Sequence, residues 1–543
     1  MLYRFLQSIN PIKIALICGS VLFSCVLIAL NTIGVLPLAL GDFVFFSGVI
    51  FLCALYRPGW AFLFFIGLLP FEIVSVAPKE IGVLLRPYQW VGTLTLAATM
   101  TRFLGGRLPF ALPRVHRLDM LLPVLWVGSV IAVLGAPDRG VSLKQSAVLL
   151  SFIALYALVR IFIRNASDVK NTVVFFLGSG MIVSLYALWQ NIRFAQGMDA
   201  FEVMAGRPNS VFAEPDWLGV FLAICISAVY AMLFAYRKPR VYEGDVLKLL
   251  GIASPIALKA RHITVGALYA LLALLYVALL LSVARSAWLS VALIAIVATF
   301  AVLTEGAWLD VSQWKWKRGF VYAVGIFGTF IASLLLVFSL HLTSFRLLDR
   351  ASSTASGLQR ITIACQGDIA LPQSIASADE LAAYGCRHID LEEKESAASA
   401  GEVVKEIDRD DPNVSIRKSI YAKTFSLIRE HFFTGIGFGS VATFLGNDER
   451  GTGLNTSNIF LEVWLGSGLL GLMALLIIWL SIGIVSFRRF ALLRARPDVA
   501  AVYLFLFLSW LGLSIFNLFN AGIFLGFFWA WLSVAVSFVH KRL

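Results

Sequence analysis

The sequence predicts an all-α polytopic membrane protein of about fourteen transmembrane helices, interrupted by one large extracytoplasmic loop. Three observations carry that expectation. Of 543 residues, 59% are hydrophobic and only 14% charged, against roughly 25% charged in a soluble domain. Apolar runs of about 20 residues, enough to cross a roughly 30 Å hydrocarbon core, recur from end to end. The runs also lack the period-2 alternation of a membrane barrel.

In order, the runs are 12–33, 36–55, 58–77, 86–104, 119–136, 142–162, 171–190, 215–236, 263–283, 286–303, 319–341, 458–485, 500–516 and 519–538. Gly, Pro and charged residues punctuate most of the joins, least sharply between the second and third runs. The first run is long enough to span and no small-residue cleavage site follows it, so it reads as a helix rather than a removed leader.

Positive charge sets the orientation. With the N-terminus in the cytoplasm, the inside connections carry Arg102, Arg107, Arg114 and Arg117, then Arg160, Arg164 and Lys170. Further along come Arg237, Lys238, Arg240, Lys248, Lys259 and Arg261, then Lys315, Lys317 and Arg318. The last are Arg488, Arg489, Arg494 and Arg496, with Lys541 and Arg542 in the tail. The short outside connections carry few such residues, which is the positive-inside pattern. Both termini are therefore expected in the cytoplasm. The net charge of +12 belongs to this topology. No zinc-finger spacing or aromatic-plus-basic motif points to a nucleic-acid partner.

Three regions follow: a bundle over 1–341, a large extracytoplasmic loop over 342–457, and the last three spans over 458–543. Within the loop, Ser352 to Asp411 is polar. Near 415–433, Ile416, Ile420, Phe425, Ile428 and Phe432 fall close to helical spacing, which predicts an amphipathic helix on the membrane face or on the bundle. "TGIGFGS" reads as a glycine turn rather than a dinucleotide fingerprint. Cys365 and Cys386 both lie in this loop. They form either a disulfide, worth about 3 kcal/mol in an oxidising compartment, or two free thiols. Cys18, Cys25, Cys53 and Cys225 lie in spans and read as packing residues.

Arg285 is the most informative single residue. The run 263–303 is nearly uncharged and fits two helices of roughly 20 residues each. Arg285 falls near its middle, so the chain turns there at the outer surface. An arginine at that depth either serves a functional site or snorkels to lipid headgroups. Arg207, in "GRPNSVFAEPDWLGVFL", also lies on the outer side, before span 215–236. Two guanidinium groups beside helix ends match the oxygens of a diphosphate. Glu214 and Asp216 offer carboxylates to orient or deprotonate a hydroxyl. In the structural alternative Asp216 caps the next helix and Glu214 pairs with Arg207. His341 and His431 are expected on the outer side, and His388 in the polar insert; none has metal-ligand spacing, and no serine-hydrolase elbow is present.

Four stretches together resemble the O-antigen ligase and polymerase superfamily, bacterial membrane glycosyltransferases that act on undecaprenyl-diphosphate-linked glycans. They are "GRPNSVFAEPDWLGVFLAI", "LLLSVARSAWLSVAL", "IREHFFTGIGFGSV" and "TSNIFLEVWLGSGLLGLMALL", and they cover roughly 200–485. The resemblance implies a GT-C-like helical enzyme in the bacterial cytoplasmic membrane, with its site on the outer leaflet side under the 342–457 loop. It implies a lipid-linked glycan donor, a glycan or lipid-linked acceptor, and no cofactor or metal. Arg207 and Arg285 would bind the donor diphosphate, and Ser457 and Asn458 would position the acceptor or the loop. Family ligases carry a His where this chain has Ser457, so that base is not transferable. Glu214, His341 or His431 would replace it, or the chain is polymerase-like, as "AEP" at 213–215 also suggests. The alternative from another class is a lipid-linked glycan flippase or other secondary transporter, which would place its charges near the midplane.

Overall fold

The computed structural model of the chain describes residues 11–82, 84–236, 257–343, 358–375, 378–389, 394–410, 412–446, 453–493 and 496–539. The cations Arg237, Lys238, Arg240, Lys248, Arg494, Lys541 and Arg542, and His540, lie outside the described residues, as do the side chains of Lys259, Arg261 and His262. Among the described residues eleven α-helices precede the insert: α1 (Pro11–Thr32), α2 (Leu40–Tyr56), α3 (Pro58–Leu68), α4 (Pro87–Leu104), α5 (Leu121–Ala132), α6 (Arg139–Phe162), α7 (Ala166–Ala195), α8 (Pro215–Ala235), α9 (Ala257–Leu281), α10 (Arg285–Thr304) and α11 (Trp316–Ser339). The insert holds β1 (Leu358–Cys365), β2 (Ser374–Ile375), β3 (Cys386–Ile389), α12 (Lys394–Ser399), β4 (Val403–Asp410), α13 (Pro412–Glu430) and α14 (Val441–Leu445). The bundle then closes with α15 (Ile459–Leu492), α16 (Pro497–Asn517) and α17 (Gly526–Val539).

A helix lies in every predicted run, and among the described residues nine are long and apolar enough to cross a membrane. Two of the shortfalls have visible causes. Run 58–77 stops being helical after Leu68, where Pro70 lacks the N–H that would continue the helical ladder. Run 519–538 starts as a turn, and helix begins only at Gly526. Local sequence places other boundaries. Asp138 caps α6 by accepting from the Val141 N–H at 3.0 Å, and Asn165 and Asp168 form a reciprocal capping box on α7.

Helix α8 is the centre of the bundle: 94% of its spanning window is buried. It packs against α16, α10 and α9, with Leu218, Phe221, Ile226 and Tyr230 almost without solvent exposure. Such all-round apolarity is what a helix needs when other helices surround it. The cysteines sort by position: Cys225 on α8 is buried, while Cys18, Cys25 and Cys53 are exposed on the bundle surface rather than packed inside it.

The insert corrects the all-α expectation. Its middle folds into a four-stranded sheet of order β2-β4-β1-β3, antiparallel except for the β2–β4 pair. Ile361, Ile363, Cys365, Ile375, Cys386 and Ile407 form a small core on one face. Arg360–Asp408 and Arg387–Glu402 ion pairs line the sheet. Cys365 and Cys386, paired across β1 and β3, form a disulfide that closes a separation of 21 residues.

After the sheet, α13 supplies the predicted amphipathic helix, which rests on the bundle: Ile420, Leu427 and Ile428 are buried while Ile416 and Phe425 stay exposed. The glycine turn that follows enters α15. There Gly468 breaks the helix with φ +68°, and neighbouring backbone restores the lost bonds. The Ile436 and Gly437 N–H groups donate to Leu465 O at 2.7 and 3.1 Å, and the Leu469 N–H donates to Phe433 O at 3.2 Å. This is a kink with an inserted chain as its cause. A Cβ on Gly468 would lie 2.2 Å from Phe433 O, so the turn and the kink require glycine there twice over, for φ and for space.

Candidate functional site

The predicted site residues converge on one end of the bundle, the end that carries the insert. The loop 199–214 folds down rather than outward. Gln190 on α7 accepts from the Ser210 N–H at 2.7 Å and donates to Phe201 O at 3.0 Å. Asn209 donates to Phe212 O at 2.6 Å and accepts from the Val203 N–H at 3.1 Å. Asn209 and Ser210 are buried, so this is a packed loop with fixed geometry.

That packing aims Arg207 at the turn between α9 and α10. Its guanidinium donates to Ser282 O from both Nε and Nη2 at 3.3 Å, and to Val283 O at 3.4 Å. These carbonyls end α9, where a cation is favourable. Val283 takes φ +51°, reversing the chain. Arg285 is then the first residue of α10, whose N-cap Ala284 supplies no side-chain bond to the first-turn amides. A helix N-terminus without a side-chain cap favours an anion. Close packing holds the arrangement: a Cβ on Gly219 of α8 would stand 2.7 Å from Ala287 Cβ and 2.8 Å from Ala284 Cβ. Only glycine lets α8 lie so near the turn.

The acids are assigned differently from the sequence-based expectation. Asp216 pairs with Arg207 at 3.5 Å and lies in the first turn of α8, while Glu214 is the N-cap residue and makes no side-chain cap bond. The proline at N1, Pro215, explains the shift: it fixes where the helix starts. Glu202, absent from the sequence-based set, accepts from the Gly206 N–H at 2.9 Å; its other oxygen is buried without a hydrogen-bond partner. Burial raises its pKa to about 7, against the opposing effect of the Gly206 bond.

A chain of bonds joins the turn to the insert. Asn520 donates to Ser286 Oγ at 3.1 Å. Two residues earlier, Leu518 O accepts from Asn458 Nδ2 and from Tyr421 OH, both at 3.3 Å. Asn458 also caps α15 through the Phe460 N–H at 2.9 Å. Ser457 takes φ +50°, and its carbonyl accepts from Tyr421 at 3.4 Å. Asn458 and Ser457 thus hold loop and helix together. His431 comes ten residues after Tyr421 in the sequence, about 15 Å further along the helix axis. His341, exposed, follows the end of α11 with φ +50°.

One ion pair at this end carried a readable signal, a lone acid in the apolar "LLPFEIVSV" stretch. Glu72 is buried, bonds Arg86 at 2.8 Å and accepts from Tyr88 OH at 3.1 Å and from the Gly526 N–H at 2.9 Å. Its backbone N–H donates to Val211 O at 2.9 Å, which ties a third loop to the Arg207 loop. Among the described residues no three His, Cys, Asp or Glu side chains gather to hold a metal ion.

No curated protein matches the chain. A family model described as O-antigen ligase matches residues 268–476, from within α9 to the middle of α15. That interval contains Arg285, His341, His431, Ser457 and Asn458, and stops short of Arg207 and Glu214. The helices are those of a multi-pass membrane protein, and over residues 268–476 the chain is similar to the O-antigen ligase family, in agreement with the superfamily its motifs resemble.

Proposed function

We propose that the chain polymerises or ligates undecaprenyl-diphosphate-linked oligosaccharide on the outer face of the cytoplasmic membrane, with the insert end outside and both termini in the cytoplasm. Arg207 and Arg285 bind the donor diphosphate, and an acceptor hydroxyl attacks the anomeric carbon. The bond from that carbon to the diphosphate breaks, and the arginines stabilise the negative charge left on the departing lipid diphosphate. No metal is required in this scheme, since the diphosphate is already an activated leaving group. Ser457 and Asn458 position the insert over the site. Glu214, His341 and His431 are the candidate bases. Polymerisation is favoured over ligation because Ser457 replaces the ligase His and "AEP" spans the start of α8.

The observation that supports this most is the contact of the Arg207 guanidinium with Ser282 O and Val283 O, on the turn from which Arg285 starts α10. Two arginines and a helix N-terminus at one turn suit a diphosphate. The test is Arg285→Gln in purified protein given lipid-linked oligosaccharide. Transfer should fall about a hundredfold or more, as when a charge-stabilising donor is lost, with normal accumulation in the membrane. Transfer at the wild-type rate would refute the assignment.

A further inference from the structure

At the insert end of α7, beside the Arg207 loop, stands a set of open rings that the proposed reaction does not use. Trp189 stacks on Tyr186 at 5.4 Å between centroids and on Phe201 at 6.1 Å, with only 8° between the Trp189 and Phe201 planes. Trp189 keeps 38% of its surface exposed and Phe201 40%, so neither ring is packed away. The Arg193 guanidinium lies over both, 5.0 Å from the Trp189 centroid and 5.5 Å from that of Phe201. Its Nε donates to Asp199 O at 2.6 Å. The Phe201 backbone takes φ +55°, a left-handed conformation that a bulky aromatic residue adopts only at a cost in free energy. Two bonds hold it there: its N–H donates to Asp199 Oδ1 at 2.9 Å, and its carbonyl accepts from Gln190 Nε2 at 3.0 Å. Gln190 is fully buried and also accepts from the Ser210 N–H at 2.7 Å. One buried side chain thus fixes both the exposed ring and the loop that carries Arg207.

We propose that Trp189, Phe201 and Arg193 form a sugar-binding platform that stacks a pyranose ring of the lipid-linked glycan. The face of an aromatic ring carries negative charge density, and the C–H hydrogens on one face of a pyranose are slightly positive, so the two flat surfaces attract. The Arg193 donors and the Asp199 carboxylate at the edge of the rings suit the hydroxyls of the same sugar. The position fits this occupant. Leu185 and Met181, one and two turns before Trp189 on the same face of α7, are exposed and apolar, so the rings stand where an apolar helix face gives way to a polar loop. Phe201 lies six residues from Arg207, a chain reach of at most about 20 Å, which a short oligosaccharide can span. That the glycan is the one carried by the diphosphate at Arg207 rests on the function proposed above.

Binding measured apart from transfer tests this. The full-length chain in detergent is titrated by microscale thermophoresis with two probes: undecaprenyl-diphosphate-linked oligosaccharide extracted from the producing cells, and undecaprenyl diphosphate without sugar. Wild type should bind the sugar-bearing lipid more tightly. Trp189→Leu and Phe201→Leu keep the surface apolar but remove the flat ring. Each should weaken binding of the sugar-bearing lipid about tenfold and leave the sugarless lipid unchanged. Trp60→Leu, at an exposed tryptophan of α3 that also lies under an arginine, should change neither. Equal loss for both lipids would make the rings an interfacial anchor and overturn the platform. Unchanged binding of the sugar-bearing lipid in both ring variants, or no difference between the two lipids in wild type, would overturn it as well. Arg207→Gln separates this inference from the proposed function. Unchanged affinity for sugarless lipid in that variant would remove the diphosphate assignment, while a sugar preference lost in the ring variants would leave the platform standing. If Phe201→Leu does not accumulate, Trp189→Leu on the surface of α7 decides alone.

Discussion

Arg207 shows how one side chain serves structure and prospective chemistry together. Its bonds to the carbonyls that end α9 fix its position, and that position is beside the N-terminus of α10. Glu202, five residues earlier, is the titrating group of this loop. Its pKa near 7 lies above the ordinary value of 4.5, so the folded state holds its proton more tightly than the unfolded one. Its contribution to stability is full below about 4.5 and is lost as pH rises through about 7. The melting temperature should therefore fall between about pH 5 and about pH 8, and Glu202→Gln should flatten that fall. An unchanged slope in the variant would remove Glu202 as its source. Arg285 was readable from sequence because an apolar run of 263–303 is too long for one helix. Which acid reaches Arg207 was not, because Pro215 sets the helix start and the start decides where Glu214 and Asp216 point.

Among the elements, two connections carry the account: the Gly219 contact and the disulfide-closed sheet. Gly219→Val would force its side chain against Ala284 and Ala287, within 2.8 Å. Overpacking of this kind costs about 1–3 kcal/mol. The melting temperature should drop and transfer should fall with it, because α8 and the Ser282–Arg285 turn move apart. A variant with wild-type values of both would show that the contact is not tight. In the insert, Cys386→Ser should remove stabilisation of about 3 kcal/mol. Limited proteolysis should then cut between residues 358 and 410 sooner, with the helical bundle intact; an unchanged cleavage rate would mean the sheet does not depend on the bond. Most helices were legible because twenty apolar residues in a row have few other meanings. The strands were not. β4 reads "VVKEIDRD", with only Ile407 fully buried, so its charged outer face hides the period-2 signal. β1 does alternate Ile361, Ile363 and Cys365 inward, in a segment too short to stand out in a polar insert.

For the molecule as a whole, polar interactions concentrate at the two ends of an apolar bundle. At the insert end, Glu72, the Arg207 loop, the Ser282–Arg285 turn, Asn520 and Tyr421 join four connections and helix α13 by hydrogen bonds. At the other end, the Asp119–Arg160 ion pair joins the 105–120 connection to α6. The proposed reaction, with its donor drawn from the bilayer, needs the first end rigid and open to the lipid. The convergence was visible in the sequence only as two arginines assigned to the same side; the loops that join them, and the route through Leu518 to Ser457, come from long-range packing that no local pattern records. The most direct measurement is a structure of the full chain with an undecaprenyl-diphosphate-linked sugar bound. The account predicts diphosphate oxygens within hydrogen-bond distance, about 2.7–3.2 Å, of both the Arg207 and the Arg285 guanidinium groups. A diphosphate bound elsewhere, with these two side chains unchanged, would contradict it.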